Sequence, residues 1–197
     1  MKILLLFPPD WLPSEPYLSL PALTSVLRPA GHNVIQKDIN VEMYDMFFSR
    51  PFLEQVSDRI AGELNHLVHV EKQRALDEEE STLKNQLLQS TPEVLNQLAS
   101  DAEEAKIILR GESFYDIDKL EWATNTLHQT MALISSGYYP AQICFPPIET
   151  DLVYKPFMSS EILEAVDDDQ INVYRDVYCQ LIAPVIKKEK PGMVGIS

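Results

Sequence analysis

Ile3 to Phe7 is an unbroken apolar run, closed by Pro8 and Pro9. A strand with one wet face alternates; one that is apolar throughout is covered on both faces, like a central parallel strand. Ser19 then precedes Leu20, Pro21, Leu23, Val26 and Leu27. This reads as a helix with Ser19 as its cap and Pro21 in the first turn, where a missing N–H costs nothing. Pro29 and Gly31 stop it. Val34 and Ile35 form a short second strand, with Asp38 and Asn40 near its C-terminal end. Strand, proline-rich loop, helix, glycine, strand is a βαβ unit with a right-handed crossover.

From Val41 to Gly137 the period changes. Phe52, Val56, Ile60, Leu64 and Leu67 recur at helical spacing, and Leu120, Ala123, Leu127 and Met131 or Ile134 share a second helical face. Between them Thr91 is a cap candidate, with Pro92 in the first turn and Glu93 soon after. Gly137 is expected to end the last helix. The region reads as an insertion of three or four helices. Residues 138–170, rich in aromatics and proline, read as an ordered, irregular return segment. Asp168 or Asp169 is expected to cap a helix with Val173, Val177, Leu181 and Val185 inward, kinked or split at Pro184. Lys187, Lys188 and Lys190 suit its C-terminus.

Met193 to Ser197 reads as a third strand. The fold class expected is α/β: a truncated Rossmann-like parallel sheet in strand order 2-1-3 with a large helical insertion. Three divisions follow: 1–40 as the first βαβ unit, 41–165 as the insertion and return segment, and 166–197 as the helix and third strand. Because such a strand normally feeds a further loop and helix, the chain is expected to be a fragment of a longer protein. Its third strand would then be an open edge, able to pair with a second copy.

Charge narrows the partners. Sixteen Lys and Arg face 30 Asp and Glu, a formal net charge of −14. That disfavours nucleic acid and anionic membrane surfaces, which are gripped by cations. The two cysteines, Cys144 and Cys179, make neither a disulfide framework nor a Cys-x-x-Cys metal signature. With no signal-peptide core and no stretch of membrane length, a cytoplasmic setting is expected. Both cysteines are expected to be small core residues.

In open α/β sheets, ligands bind outside the carboxyl ends of the strands. Leu4 to Leu23 crosses that edge and holds Pro8, Pro9, Pro13, Pro16 and Pro21, with Trp11 and Tyr17. Such a loop is pre-ordered, so a flat apolar ligand loses less entropy on settling there. It lacks Gly-x-Gly-x-x-Gly, so a dinucleotide is not indicated. Pro8 and Pro9 can equally serve only to end the strand, and the residues alone leave both readings open.

Pro8-Pro9, the segment Pro16 to Leu20, Gly31-His32-Asn33-Val34, Asp38 and the closing Lys190-Pro191-Gly192-Met193-Val194-Gly195-Ile196-Ser197 together carry a resemblance. They resemble the N-terminal cobalamin-binding domain of cobalamin-dependent radical SAM enzymes. That group includes ribosomal-peptide C-methyltransferases and relatives of the anaerobic magnesium-protoporphyrin monomethyl ester cyclase. The resemblance covers residues 1–40 and 173–197 and leaves the insertion unexplained. It implies cobalamin over the C-terminal strand ends, bordered by Pro9, Asp10, Trp11 and Leu20, with Ser197 near its lower face or nucleotide tail. It implies a parent that methylates unactivated carbons or cyclises its substrate. The [4Fe–4S] cluster and S-adenosylmethionine would belong to a C-terminal radical SAM domain outside these residues.

Two departures bear on this. The Asp-x-His-x-x-Gly loop that supplies a cobalt ligand is absent, and His32 precedes the second strand at the opposite edge, so no protein histidine on cobalt is expected. The Cys-x-x-x-Cys-x-x-Cys motif is absent too, so these residues are expected to be an accessory domain and not catalytic by themselves. Cobalamin binding by these residues alone is expected to be weak or absent.

Other constellations are plainer. His66 and His69 lie near Glu63 and Glu71, but no third ligand is evident. Asp77 to Glu80 reads as a solvated helix face or turn. Tyr138, Tyr139, Phe145, Tyr154 and Phe157 read as packing for the return segment rather than a substrate surface. The alternative to a cofactor domain is a helical module that recruits a protein or peptide on a small α/β base. A flavodoxin-like regulatory domain for another small molecule is a third.

Overall fold

The computed structural model describes residues 1–9, 11–13, 15, 17–90, 92–145, 154 and 158–197. Strands β1 (Lys2–Phe7), β2 (Asn33–Asp38) and β3 (Met193–Ile196) form one parallel sheet in the order β2-β1-β3. This is the expected α/β arrangement, with a helical insertion between β2 and β3. Leu6 of the central strand sits opposite Lys37 on one side and Ile196 on the other. Paired on both edges and covered on both faces, β1 is buried from Ile3 to Phe7, which accounts for its unbroken apolar run.

The two faces of the sheet are covered differently. Ile3, Leu5 and Phe7 pack with Val34 and with Leu20 and Leu27 of helix α1 (Ser19–Leu27). Leu4 and Leu6 point the other way, into an apolar cluster that runs on through the insertion. The insertion comprises α2 (Ile39–Phe47), α3 (Arg50–Glu71), α4 (Glu78–Leu88), α5 (Pro92–Arg110), a 3-10 turn at Glu112–Tyr115 and α6 (Ile117–Gly137).

Most of these helices start on a local side-chain cap. Asp38 accepts from the Val41 N–H, Ser49 from Phe52, and Asp116 from Lys119. At α4 the capping is reciprocal: Asp77 accepts from the Glu80 N–H while the Glu80 carboxylate accepts from the Asp77 N–H. The acidic run Asp77 to Glu80 is therefore a helix start on a solvated face.

Beyond the insertion come α7 (Ser159–Asp167), α8 (Val173–Val177), a wide π turn at Tyr178–Ile182, α9 (Ala183–Glu189) and β3. Pro184 sits in the first turn of α9, and the Ala183 N–H reaches back to the Tyr178 carbonyl. The proline has no N–H to continue an α-helical ladder, so the helix opens by one residue there and splits as expected.

Three expectations are corrected. Ser19 is the first residue of α1 rather than its cap. Pro21 has no N–H to give, and the Ala22 N–H already donates to the Leu18 carbonyl at 3.1 Å, so Ser19 has no donor to accept from. Neither Asp168 nor Asp169 caps α8; Asn172 does, accepting from the Arg175 N–H at 3.2 Å. The Asp168 carboxylate is taken by the Gln170 N–H and the Tyr154 hydroxyl. Cys144 and Cys179 are exposed, not core. Cys179 lies two residues past the buried Val177, about 200° around the helix and so on its outer side. Thr91, the cap candidate for α5, falls outside the described residues.

Gly137 does close α6, but for another reason than backbone freedom. A Cβ there would lie 2.9 Å from Val56 Cγ1, so glycine is what lets α6 approach α3. The same place is clamped by Arg59 of α3. Its guanidinium lies 4.0 Å from the centre of the Tyr138 ring and donates to the carbonyls of Gly137, Asp169 and Gln170. The Tyr138 hydroxyl, in turn, donates to Asp176 of α8 at 2.5 Å. One arginine and one tyrosine thus join the insertion to the segment that returns to the sheet.

Candidate functional site

The chain leaves β1 toward β2 on one side and reaches β3 on the other, so the crossovers diverge between β1 and β3. In open α/β sheets such a divergence is where ligands are taken. The Ser197 N–H donates to the Leu6 carbonyl at 3.0 Å, which sets Ser197 beside Phe7 at the C-terminal edge of β1.

The loop after β1 folds back over this edge. Tyr17 stacks on Phe7 with ring centres 4.4 Å apart, and Trp11 meets Tyr17 edge-on at 5.9 Å. The Trp11 N–H donates at 3.0 Å to the Oδ1 of Asn40, a buried side chain in the first turn of α2. The loop is therefore fastened to both strand ends, at β1 by ring stacking and after β2 by a hydrogen bond. Trp11 and Tyr17 are still 43% and 45% exposed, so their outer surfaces form an apolar rim.

Of the residues expected at this edge, Pro9 lies half-buried at the strand end, with Trp11 after it and Ser197 on the neighbouring strand. Leu20 is turned away: it is buried in the layer between α1 and the sheet, against Ile3, Leu5, Phe7 and Val34. Its place in the fold is packing. Asp10 and Pro16 fall outside the described residues.

Past Trp11, the loop becomes one wall of a second feature that the sequence did not announce. Leu12 and Pro13 face α2, α5, the 3-10 turn and α6 across a cleft of about 720 Å³. Its walls are mostly apolar: Val41, Tyr44, Phe48, Leu109, Phe114, Leu127 and Phe145. His128 lies edge-on to Phe145 with ring centres 4.8 Å apart.

Charged groups gather on the α2 and α5 walls. Asp45 Oδ1 accepts from Arg110 Nη2 at 2.9 Å and lies 3.4 Å from Lys106 Nζ. Lys106 also pairs with Glu103 at 2.9 Å. Partial burial pushes the Asp45 carboxyl upward, but the Arg110 hydrogen bond and the Lys106 charge outweigh it and hold Asp45 below its ordinary value. Lys106 and Arg110 are one helical turn apart, a spacing visible in the sequence. Asp45 and His128 lie on other helices, and nothing local marks them as neighbours.

The other candidates resolve simply. His69 Nε2 lies 2.8 Å from the Gln73 amide nitrogen. No cluster of three or more His, Cys, Asp or Glu able to hold a metal occurs among the described residues. The expected aromatic set divides: Tyr138 is buried at the Arg59 clamp, Tyr154 donates to Asp168, and Phe145 lines the cleft. Phe157 is outside the described residues. Among the described residues no helix is long and apolar enough to cross a membrane. No protein-family model, curated protein or solved structure matches the chain.

Proposed function

We propose that this chain is a cofactor-binding accessory domain, and that the cofactor is cobalamin, as the resemblance of residues 1–40 and 173–197 implies. The observation that carries the reading is the stacked proline-rich loop over the C-terminal edge of β1, on the side of the sheet where the crossovers from β1 and to β3 diverge. A corrin is broad and largely apolar with a polar rim. The exposed Trp11–Tyr17 surface suits its body, and the fixed loop lowers the ordering cost of binding. Trp11 and Pro9 would border the ring, with Ser197 on the neighbouring strand. Bound cobalamin would supply a transferable methyl group or a reactive cobalt centre to a radical SAM domain of the same parent. The residues described here would bind and orient it.

Equilibrium dialysis of aquocobalamin against the product of the complete reading frame tests this. Retention near one equivalent is expected, falling about tenfold for Trp11→Ala, the loss of one aromatic contact worth ~1–1.5 kcal/mol. No retention by that product, or retention indifferent to Trp11, contradicts the proposal.

A further inference from the structure

We infer that the cleft between α2, α5 and α6 is a binding site for a small organic acid: an anionic head group carried on an aromatic or otherwise apolar body. The site is distinct from the strand-end edge and does not depend on cobalamin. Its volume, about 720 Å³, falls in the range of small-molecule sites, and so does its make-up of apolar walls with a few polar groups.

The nature of the head group follows from counting donors. Arg110 spends one N–H on Asp45, through a single contact at 2.9 Å, and its side chain is 62% exposed. A guanidinium has five N–H donors, so four remain for an incoming group. Lys106, paired with Glu103 at 2.9 Å, also lies 3.4 Å from the same Asp45 oxygen, so a second cation stands beside Arg110. The carboxylate already there shows what chemistry the pair accepts: Asp45 is an internal stand-in for a ligand acid. A carboxylate entering the cleft would take the open face of Arg110 in the two-bond geometry that guanidinium favours. The Thr124 hydroxyl, lining the same cleft, already donates to the Leu120 carbonyl and has only acceptor capacity left. On the charged wall the open donors are those of the Arg110 guanidinium, and a ligand with acceptors matches them.

The body of the ligand would lie against Phe114 and Phe145. Phe114, 42% exposed on the 3-10 turn, meets Tyr115 edge-on. A large apolar side chain left open at the mouth of a cleft gains from being covered.

Calorimetric titration of the 197-residue chain with 1-naphthaleneacetate and with its neutral amide, 1-naphthaleneacetamide, tests the inference. The two probes share a body and differ in the head group. The acid should bind about tenfold or more tightly than the amide. Arg110→Gln should abolish that preference while leaving amide binding in place. Phe114→Ala should weaken both probes together. Arg110→Gln removes an exposed ion pair, so the fold should survive, and an unchanged circular dichroism spectrum and melting temperature would check this. Equal affinity for acid and amide, no binding of either probe, or an acid preference that persists in Arg110→Gln would overturn the inference. Failure to bind cobalamin would leave it untouched.

Discussion

The two faces of the sheet are built on different scales. On the α1 side, Ile3, Leu5, Phe7, Leu20 and Val34 make a thin layer. Leu23 and Val26 of α1, and Leu18 just before it, are exposed. On the opposite side Leu4 and Leu6 open into a cluster that reaches Phe47, Phe52, Val56, Leu87, Ala102 and Ile134. The helical region is therefore not a module resting on a finished base. It supplies the cover for one face of β1. Excising it with a linker would strip that face of the apolar surface it needs, so the deletion would remove the base as well as the insertion.

The largest expected effect comes from adjacent residues that point opposite ways. Leu4→Ala should cost on the order of 3–5 kcal/mol in urea denaturation, because its surroundings are packed on all sides and cannot collapse into the cavity. Leu5→Ala, facing the thin layer, should cost ~1–2 kcal/mol less than Leu4→Ala. Equal losses would break the contrast between the faces.

Next in size is Gly137→Ala. The added methyl must displace the Val56 side chain at the α3–α6 contact, and overpacking of this kind costs ~1–3 kcal/mol. A neutral outcome by thermal melting would show that the helices have room to part. Tyr138→Phe comes third. It removes a hydroxyl hydrogen-bonded to Asp176, and loss of ~1–2 kcal/mol is expected, since bonds to charged groups are the stronger ones. Burial first, and the Asp176 bond and charge after it, hold the Tyr138 phenol neutral well above its ordinary range. This contact should therefore not weaken by phenol ionisation between pH 7 and 10.

The smallest effect is at the α4 cap. The Arg74 hydrogen bond, and then the Asp77 backbone, lower the Glu80 carboxyl from 4.5 to about 2. A depressed folded-state value means that the stabilisation is present above the unfolded value and fades as pH falls from about 4.5 toward 2. Glu80→Gln should flatten that part of the pH–stability curve slightly, and an unchanged curve would show that the exposed cap contributes nothing.

The contrast between the faces also marks what could be read from sequence. β1 was legible because a doubly covered strand is apolar at every position. The long insertion helices were legible because Phe52, Val56, Ile60 and Leu67 repeat with the helical period and are buried. Pro184 could be read because a proline acts on its own backbone. The misplaced features depend on a competitor that sequence does not display. Ser19 lost its capping role to a backbone carbonyl, and Asp168 was taken by Tyr154 and Gln170. Gly137 answers to Val56, some eighty residues away in the chain. Pro9, Trp11 and Ser197 lie near the strand-end edge, while Leu20 packs in the layer between α1 and the sheet. The cleft was not foreseen, because Asp45, Arg110 and His128 come together only through the packing of three helices.

The claim that sheet and insertion share one core can be tested with the two tryptophans. Trp11 sits on the loop after β1 and Trp122 on α6. Both are partly exposed, at 43% and 39%, so Trp11→Phe and Trp122→Phe should each fold and leave one reporter in each region. Urea unfolding followed by the fluorescence of each variant, after correction for any shift seen by circular dichroism, should give coincident transitions. Two separate transitions, with Trp122 unfolding while Trp11 still reports an intact sheet, would contradict the account.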